Sequence, residues 1–165
     1  MEQYLQSGLA AMGLPADGIP ALCRYGELLL ETNKVMNLTA ITEPRDVAAL
    51  HFLDSAALLT LEDFHGKSVV DVGTGAGFPG LPLRILEPTI RLTLLDSLGK
   101  RVQFLSRSAG SWASRMYPAS TAGRRNLPAP TGNPMTWRSP GRWLPCRCCA
   151  SCACPWCGPA GSSWP

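Results

Sequence analysis

Apolar residues recur at helical spacing over the first thirty positions of the chain. This period predicts a short helix over residues 1–13, which would end near Gly13. A second helix is predicted to begin within residues 17–20 and to run to about Thr32. Its apolar face would carry Tyr25, Leu28 and Leu29.

A polar, turn-like stretch follows at residues 33–39, and the helical period then resumes. Thr42 is a suitable N-cap, and Pro44 fits the first turn of a helix because it needs no N–H donor there. The buried face of this third helix is predicted from four residues that recur with helical period: Val47, Leu50, Ala57 and Leu58.

The period changes after residues 65–67, where short apolar runs bounded by turn residues replace it. Residues 68–72 and 91–96 are predicted strands, and residues 80–87, ended by Pro88, are a predicted helix. Another helix is expected to open near Leu98 and to continue through Leu105. Helices followed by a β-α-β-α order predict an α/β fold, with a helical cap and the start of a parallel Rossmann-like sheet.

Composition divides the chain into two unlike parts near residue 105. All twelve acidic residues lie at or before Asp96, whereas residues 97–165 include nine basic residues and no acid. From Ser106 onward there is no Ile, Val or Phe, so we expect an irregular tail without a packed core. The expected domains are therefore a helical cap (1–65), a partial Rossmann-like core (66–105) and a non-native, disordered tail (106–165).

The sequence suggests no membrane association. No run approaches the roughly 20 apolar residues of a membrane span, and the N-terminus lacks a basic-then-apolar signal. The only cysteine before the tail is Cys23, so disulfides are not implied there. We expect a cytoplasmic protein without a membrane partner.

The segment Asp71 to Gly80 has the pattern of a ligand-binding turn. Gly73, Gly75 and Gly77 alternate directly after an apolar strand and before a helix. Without side chains, such a turn allows a ligand to lie against backbone N–H groups and the positive end of the helix. Asp96 ends the next strand, where a carboxylate can accept hydrogen bonds from ribose hydroxyls.

Two nucleotide-type cofactors are compatible with this turn. The string Gly75-x-Gly77-x-x-Gly80 also satisfies the dinucleotide pattern, which leaves an NAD-type oxidoreductase fragment as an alternative. Pro79 cannot donate to a pyrophosphate, because it has no N–H. A carboxylate two residues before alternating glycines resembles the first motif of class I S-adenosylmethionine methyltransferases, which need no phosphate site.

Four separated blocks extend this resemblance and occur in order: Asn37 to Thr39, His51 to Ser55, Asp71 to Pro82, and Leu94 to Val102. Together they resemble the GidB/RsmG family of bacterial 16S ribosomal RNA guanine-N7 methyltransferases. The likeness covers about residues 20–105. It implies a class I methyltransferase sheet, S-adenosyl-L-methionine as cofactor and the small ribosomal subunit as partner, with no DNA.

The resemblance also implies roles for individual residues. Gly73, Phe78 and Asp96 would contact the cofactor, Gly75 and Gly77 would shape the turn, and Asp71 would organise the methionine amino group. No catalytic residue is assigned, because guanine N7 is already nucleophilic and needs no general base. No metal ligand is assigned either. His51 is expected to be a packed or capping imidazole. Lys34, Lys100 and Arg101 are either RNA contacts or solvated surface charges.

The tail has two competing interpretations. Its closely spaced cysteines, from Cys146 to Cys157, could bind a metal, although zinc modules separate their pairs by about 12–20 residues. Alternatively, the tail is an out-of-frame translation, since a one-base shift turns every Cys and Trp codon into a codon for Leu, Val or Met. The re-read stretches, residues 106–126 and from Met135 onward, restore strand and acid patterns and the missing family segments. We therefore expect a truncated, inactive and poorly folded form of the enzyme.

Overall fold

The computed structural model describes residues 1–108 throughout, and the backbone of residue 109 and of three further segments, residues 115–118, 135–138 and 142–145. The described chain has an α/β architecture in which helices precede a sheet of five strands. This arrangement confirms the predicted fold class. Within the described residues, no helix is long and apolar enough to cross a membrane.

The first two helices form as predicted, but the second is longer. Helix α1 (Glu2–Ala11) ends just before Gly13, which has a φ of 70°. Helix α2 (Ile19–Met36) continues four residues beyond Thr32, so the prediction of a turn at residues 33–36 was wrong. The helix ends instead at Asn37, which adopts the left-handed conformation that terminates helices.

The third predicted helix is a composite. Helix α3 (Pro44–Val47) leads into a π-helical turn (Ala48–Leu53) and then into helix α4 (Asp54–Leu61). A π turn carries more residues per turn than an α-helix, so the apolar face predicted from α-helical spacing shifts around the axis. Leu50 is consequently 60% exposed, whereas Phe52 is fully buried.

The β-α-β unit follows the sequence prediction closely. Strand β1 (Ser68–Val72) and strand β2 (Arg91–Asp96) are parallel, with Ser68 opposite Arg91 and Val72 opposite Leu95. They are joined by helix α5 (Gly80–Leu86), and helix α6 (Gly99–Ala109) follows β2. The carboxyl ends of both strands therefore lie at the same edge of the sheet.

The tail contributes to the sheet, which corrects the expectation that residues 106–165 have no regular structure. Strands β3 (Arg115–Pro118), β4 (Met135–Arg138) and β5 (Arg142–Pro145) give the sheet order β3-β2-β1-β4-β5. Strand β3 runs parallel to β2, strand β4 runs parallel to β1, and only β5 is antiparallel. Backbone hydrogen bonding along the free edges of β1 and β2 needs no particular side chain, which is why segments without Ile or Val can occupy these places. The other residues after residue 109, including the cysteine cluster, lie outside the described residues. The irregular structure predicted for them therefore stays a prediction.

The cap and the sheet share one hydrophobic core. Tyr25 of α2 is fully buried and packs against aromatic rings from three other parts of the chain, at centroid distances of 5.6, 5.7 and 6.5 Å: Phe52, Phe78 and Phe104. Contacts of this kind stabilise beyond the burial of area alone. The cap is thus packed directly against the turn that follows β1.

Candidate functional site at the turn after the first strand

The glycine-rich turn lies beside the carboxyl end of the neighbouring strand. The N–H groups of Gly73 and Thr74 both donate to the Leu95 carbonyl, at 2.8 and 3.1 Å. The N–H of Gly75 donates to the Asp96 carboxylate at 2.9 Å. The turn and the strand-end carboxylate, which the sequence predicts to form one half of a cofactor pocket, are therefore in direct contact.

One face of the turn is open. Gly73 has a φ of 81° and Gly75 a φ of 61°, a conformation that residues with side chains rarely adopt. Among the described residues, a Cβ added to Gly73 would meet nothing within 4 Å, and one added to Gly75 would meet only the Gly73 carbonyl oxygen at 4.0 Å. The absence of side chains here exposes backbone to the space above the turn, as a cofactor cradle requires.

The other face of the turn is tightly packed. A Cβ on Gly77, where φ is 108°, would lie 2.6 Å from both Leu81 Cδ1 and the Tyr25 hydroxyl oxygen. A Cβ on Gly80 would lie 2.8 Å from Asp71 Oδ2 and from Leu94 Cδ2. These two glycines are needed because the protein itself fills the space beside them.

Asp96 is positioned by backbone N–H groups on both sides. Its Oδ2 accepts from Gly75, its Oδ1 accepts from the Leu98 N–H at 2.8 Å, and the Arg101 guanidinium lies 3.6 Å from Oδ2. The residue is only 3% exposed. Because an ionised carboxylate has about four acceptor sites, the Asp96 oxygens keep lone pairs for further donors such as ribose hydroxyls.

Asp71 lies beneath the turn and is completely buried. Its Oδ2 accepts from the Thr74 hydroxyl at 2.7 Å and from the Gly80 N–H at 3.1 Å, whereas Oδ1 has no hydrogen-bond partner among the described residues. Burial raises the pKa of Asp71 to about 7, although the bonds from Thr74 and Gly80 favour the ionised form. The contacts that Asp71 makes hold the turn together, and its predicted interaction with the methionine amino group remains a prediction.

Phe78 connects the turn to the cap through a stacked histidine. Its ring centroid lies 4.3 Å from that of His51, with the two planes 10° apart. His51 Nε2 is hydrogen-bonded to the Thr39 hydroxyl at 2.9 Å, and Asn33 makes two 2.9 Å bonds to the backbone of Thr39. Burial lowers the pKa of His51, so the ring is uncharged at neutral pH. His51 is thus packed and hydrogen-bonded, as the sequence suggested.

Two polar contacts at the turn were missed by the sequence analysis. The buried Tyr25 hydroxyl donates to the Ala76 carbonyl, and the Thr74 hydroxyl donates to Asp71. The sequence pattern places Tyr25 only on the apolar face of a helix. A tyrosine rather than a phenylalanine on a buried helical face was the available signal, because a buried phenol needs a partner.

The arrangement can hold an elongated ligand between backbone and carboxylate. It offers the open backbone of Gly73 and Gly75, the Asp96 oxygens and the Phe78 ring. In the part of the chain with described side chains, no group of three or more metal-ligating residues occurs. The Lys34 and Lys100 side chains are exposed, and Arg101 forms an ion pair with Asp96.

Comparison with known proteins gives a consistent result. A family model described as rRNA small subunit methyltransferase G matches residues 19–112. The chain is 47% identical over 107 residues to the ribosomal RNA small subunit methyltransferase G of Alkaliphilus metalliredigens, covering 63% of this chain and 45% of the relative. The protein of the same name from Alkaliphilus oremlandii is 55% identical over 89 residues, covering 53% and 37%. The chain thus spans less than half the length of these curated relatives.

Proposed function

Because the chain belongs to the GidB family, rRNA small subunit methyltransferase G, we propose that the glycine turn binds S-adenosyl-L-methionine. The observation that carries this proposal is the open backbone at Gly73 and Gly75 directly beside the Asp96 carboxylate. The sulfonium donor has no phosphate, so it does not require the N–H group that Pro79 lacks. This favours it over a nicotinamide dinucleotide.

Within this proposal each residue has a separate task. Asp96 accepts hydrogen bonds from the ribose hydroxyls, and Gly73 and Phe78 contact the bound molecule. Gly75 and Gly77 maintain the shape of the turn. Asp71 holds the turn from below and is also our candidate for orienting the methionine amino group, either through Oδ1 or through a shift of its side chain.

We propose that the reaction is methyl transfer to guanine N7 in 16S rRNA of the small ribosomal subunit, in the cytoplasm. When bound, the cofactor supplies an electrophilic methyl group. Transfer of this group converts the cofactor to S-adenosylhomocysteine. Guanine N7 has a free lone pair, so no side chain has to remove a proton first. Holding the two reactants in line supplies most of the acceleration. His51 is stacked on Phe78 and hydrogen-bonded through Nε2 to the Thr39 hydroxyl, which supports a packing role rather than that of a base.

We also propose that the native sequence ends near Leu105 and that later residues are an out-of-frame translation. The cap (1–65) and partial core (66–105) would then be native, and the tail (106–165) would lack the family segments needed for full activity. Strand β3 lies within residues 106–126 and β4 begins at Met135. These strands form with the residues as they stand, and the support for an out-of-frame origin is the composition, since from Ser106 onward there is no Ile, Val or Phe.

Calorimetric titration of the purified full chain tests the cofactor. Because the tail lacks family segments, we expect only weak binding of S-adenosylmethionine and S-adenosylhomocysteine, at one site, and no binding of NAD or zinc under the same conditions. Preferential binding of NAD would favour an oxidoreductase fragment, and stoichiometric zinc would favour a cysteine-rich metal-binding protein. The variant Asp96→Ala is the control, because it should remove binding of the adenosyl compounds.

Sequencing the gene around the Leu105 codon tests the tail. We expect a one-base shift there, and we expect the frame-restored protein to methylate unmodified small ribosomal subunits at guanine N7 far faster than the present chain. An uninterrupted frame together with equal activities would contradict the proposed origin of the tail. Absence of methylation by the restored protein would contradict the proposed reaction.

A further inference from the structure

The two faces of the glycine turn have different neighbours. Gly73 and Gly75 border open space, whereas the space beside Gly77 is filled by three side chains, from Tyr25, Leu81 and Leu105. Tyr25 is distinct among these three because it brings a polar atom to the turn. Its hydroxyl donates to the Ala76 carbonyl, 51 residues away in the sequence.

The Tyr25 side chain is enclosed in the hydrophobic core. The residue is fully buried, and its ring packs against Phe52, Phe78 and Phe104. Burial, followed by the nearby Asp71 carboxyl, raises the pKa of Tyr25 well above its usual value, so the phenol keeps its proton. Loss of the phenol would leave a buried carbonyl at Ala76 without this donor, which is unfavourable.

The Ala76 carbonyl belongs to the same tight loop that forms the open face. The N–H groups of Gly77 and Phe78 both donate to the Thr74 carbonyl, at 2.8 and 3.0 Å, and so close the loop around Ala76. A force on the Ala76 carbonyl therefore affects the orientation of the peptide units on both sides of it. Phe78, which also contacts Tyr25 directly, is the residue with which this loop ends.

We propose that Tyr25 is a positioning residue: its phenol, donating to the Ala76 carbonyl from the packed side, holds the open side of the turn in its ligand-binding shape. The inference rests on the proposed function for its ligand. It gives the helical cap a specific part in cofactor binding, since α2 supplies a group that no residue of the Rossmann-like core provides.

Two measurements on the full chain and on Tyr25→Phe test this role. The first is calorimetric affinity for S-adenosylhomocysteine, which we expect to fall about tenfold in the variant, as for a lost bond to a buried carbonyl. The second is amide hydrogen exchange by NMR, in which the Gly77 and Phe78 amides should exchange about tenfold faster. Amides that pair β1 with β2 should keep their wild-type rates.

Tyr4→Phe is the matched control. Tyr4 is 44% exposed, and its ring lies 4.8 Å from the Arg45 guanidinium carbon. The Tyr4→Phe substitution should therefore change neither the affinity nor the exchange rates. Unchanged exchange at Gly77 and Phe78 in Tyr25→Phe would overturn the proposal. So would a uniform rise that includes the strand amides, since it would show a general loss of packing. If Tyr25→Phe shows faster local exchange but the wild-type chain binds no S-adenosylhomocysteine, the positioning role of Tyr25 is supported and the proposed function is contradicted.

Discussion

The open and the packed faces of the glycine turn use the same residue type for opposite reasons. Gly73 and Gly75 leave space that the protein does not fill, whereas Gly77 and Gly80 leave space that Tyr25, Leu81, Asp71 and Leu94 fill completely. Substitution on the first face should therefore affect the ligand, and substitution on the second should affect the fold. One stretch of eight residues thus contains glycines beside open space and glycines beside packed side chains.

Gly77→Ala should have the largest effect on stability. The new Cβ would overlap Leu81 and the Tyr25 hydroxyl, and φ is 108°, so we expect the free energy of unfolding to fall by about 3–5 kcal/mol. Urea unfolding followed by circular dichroism measures this loss. Gly13→Ala is the control, because its φ of 70° costs only backbone strain, about 1–2 kcal/mol, with no atom within 4 Å. Equal losses in the two variants would show that the packed face is not tightly filled.

Asp71→Asn should alter how stability depends on pH. The Asp71 carboxyl titrates near pH 7 in the folded chain but near pH 4 when unfolded, so the folded state binds the extra proton between these values. Stability should therefore decrease as pH rises from about 4 to about 7, by at most about 1.4 kcal/mol per pH unit, and level off above. The asparagine variant should lack this contribution. Unfolding midpoints of the two proteins at successive pH values measure the difference, and parallel curves would contradict the raised pKa.

Gly73→Ala should affect binding more than folding. Its Cβ would extend into open space, so stability should fall by only about 1–2 kcal/mol, as for Gly13→Ala. Affinity for S-adenosylmethionine should fall at least about tenfold, a loss of about 1.4 kcal/mol, because the methyl group occupies space meant for the ligand. Calorimetric titration of Gly73→Ala and Gly13→Ala measures the two affinities. Undiminished affinity would place the ligand elsewhere than the open face.

His51→Ala should have the smallest of these effects. It removes the stack on Phe78 and the bond to Thr39, which together contribute about 1–2 kcal/mol to stability. His65→Ala is the control, because the His65 side chain is 71% exposed and its contact with Glu87 is long, at 3.8 Å. Thermal unfolding of the three proteins should rank wild type and His65→Ala together. A similar loss for both histidines would show that the stack contributes nothing specific.

Local sequence patterns predicted much of this molecule because the relevant forces act between near neighbours. The bounds of β1 and β2 were predicted to the residue, since apolar runs between turn residues have few alternatives. The contact of Asp96 with the glycine turn followed from parallel strands ending at one edge. Helix α2 was predicted too short because Asn33 resembles a turn residue, yet its amide is engaged by Thr39, six residues ahead.

The sequence alone determined the order of the elements as far as α6, the position of the turn and the family, because periodicity, glycine spacing and motif order are properties of the linear chain. Only the tertiary structure decided that Asp71 points beneath the turn, that Leu50 is exposed by a π-helical turn and that Tyr25 reaches Ala76. The Tyr25–Ala76 bond joins residues 51 apart in the chain, and neither the burial of Asp71 nor the π turn follows from periodicity or motif order. Packing decides them because a buried polar group must find whatever partner the assembled core brings within reach.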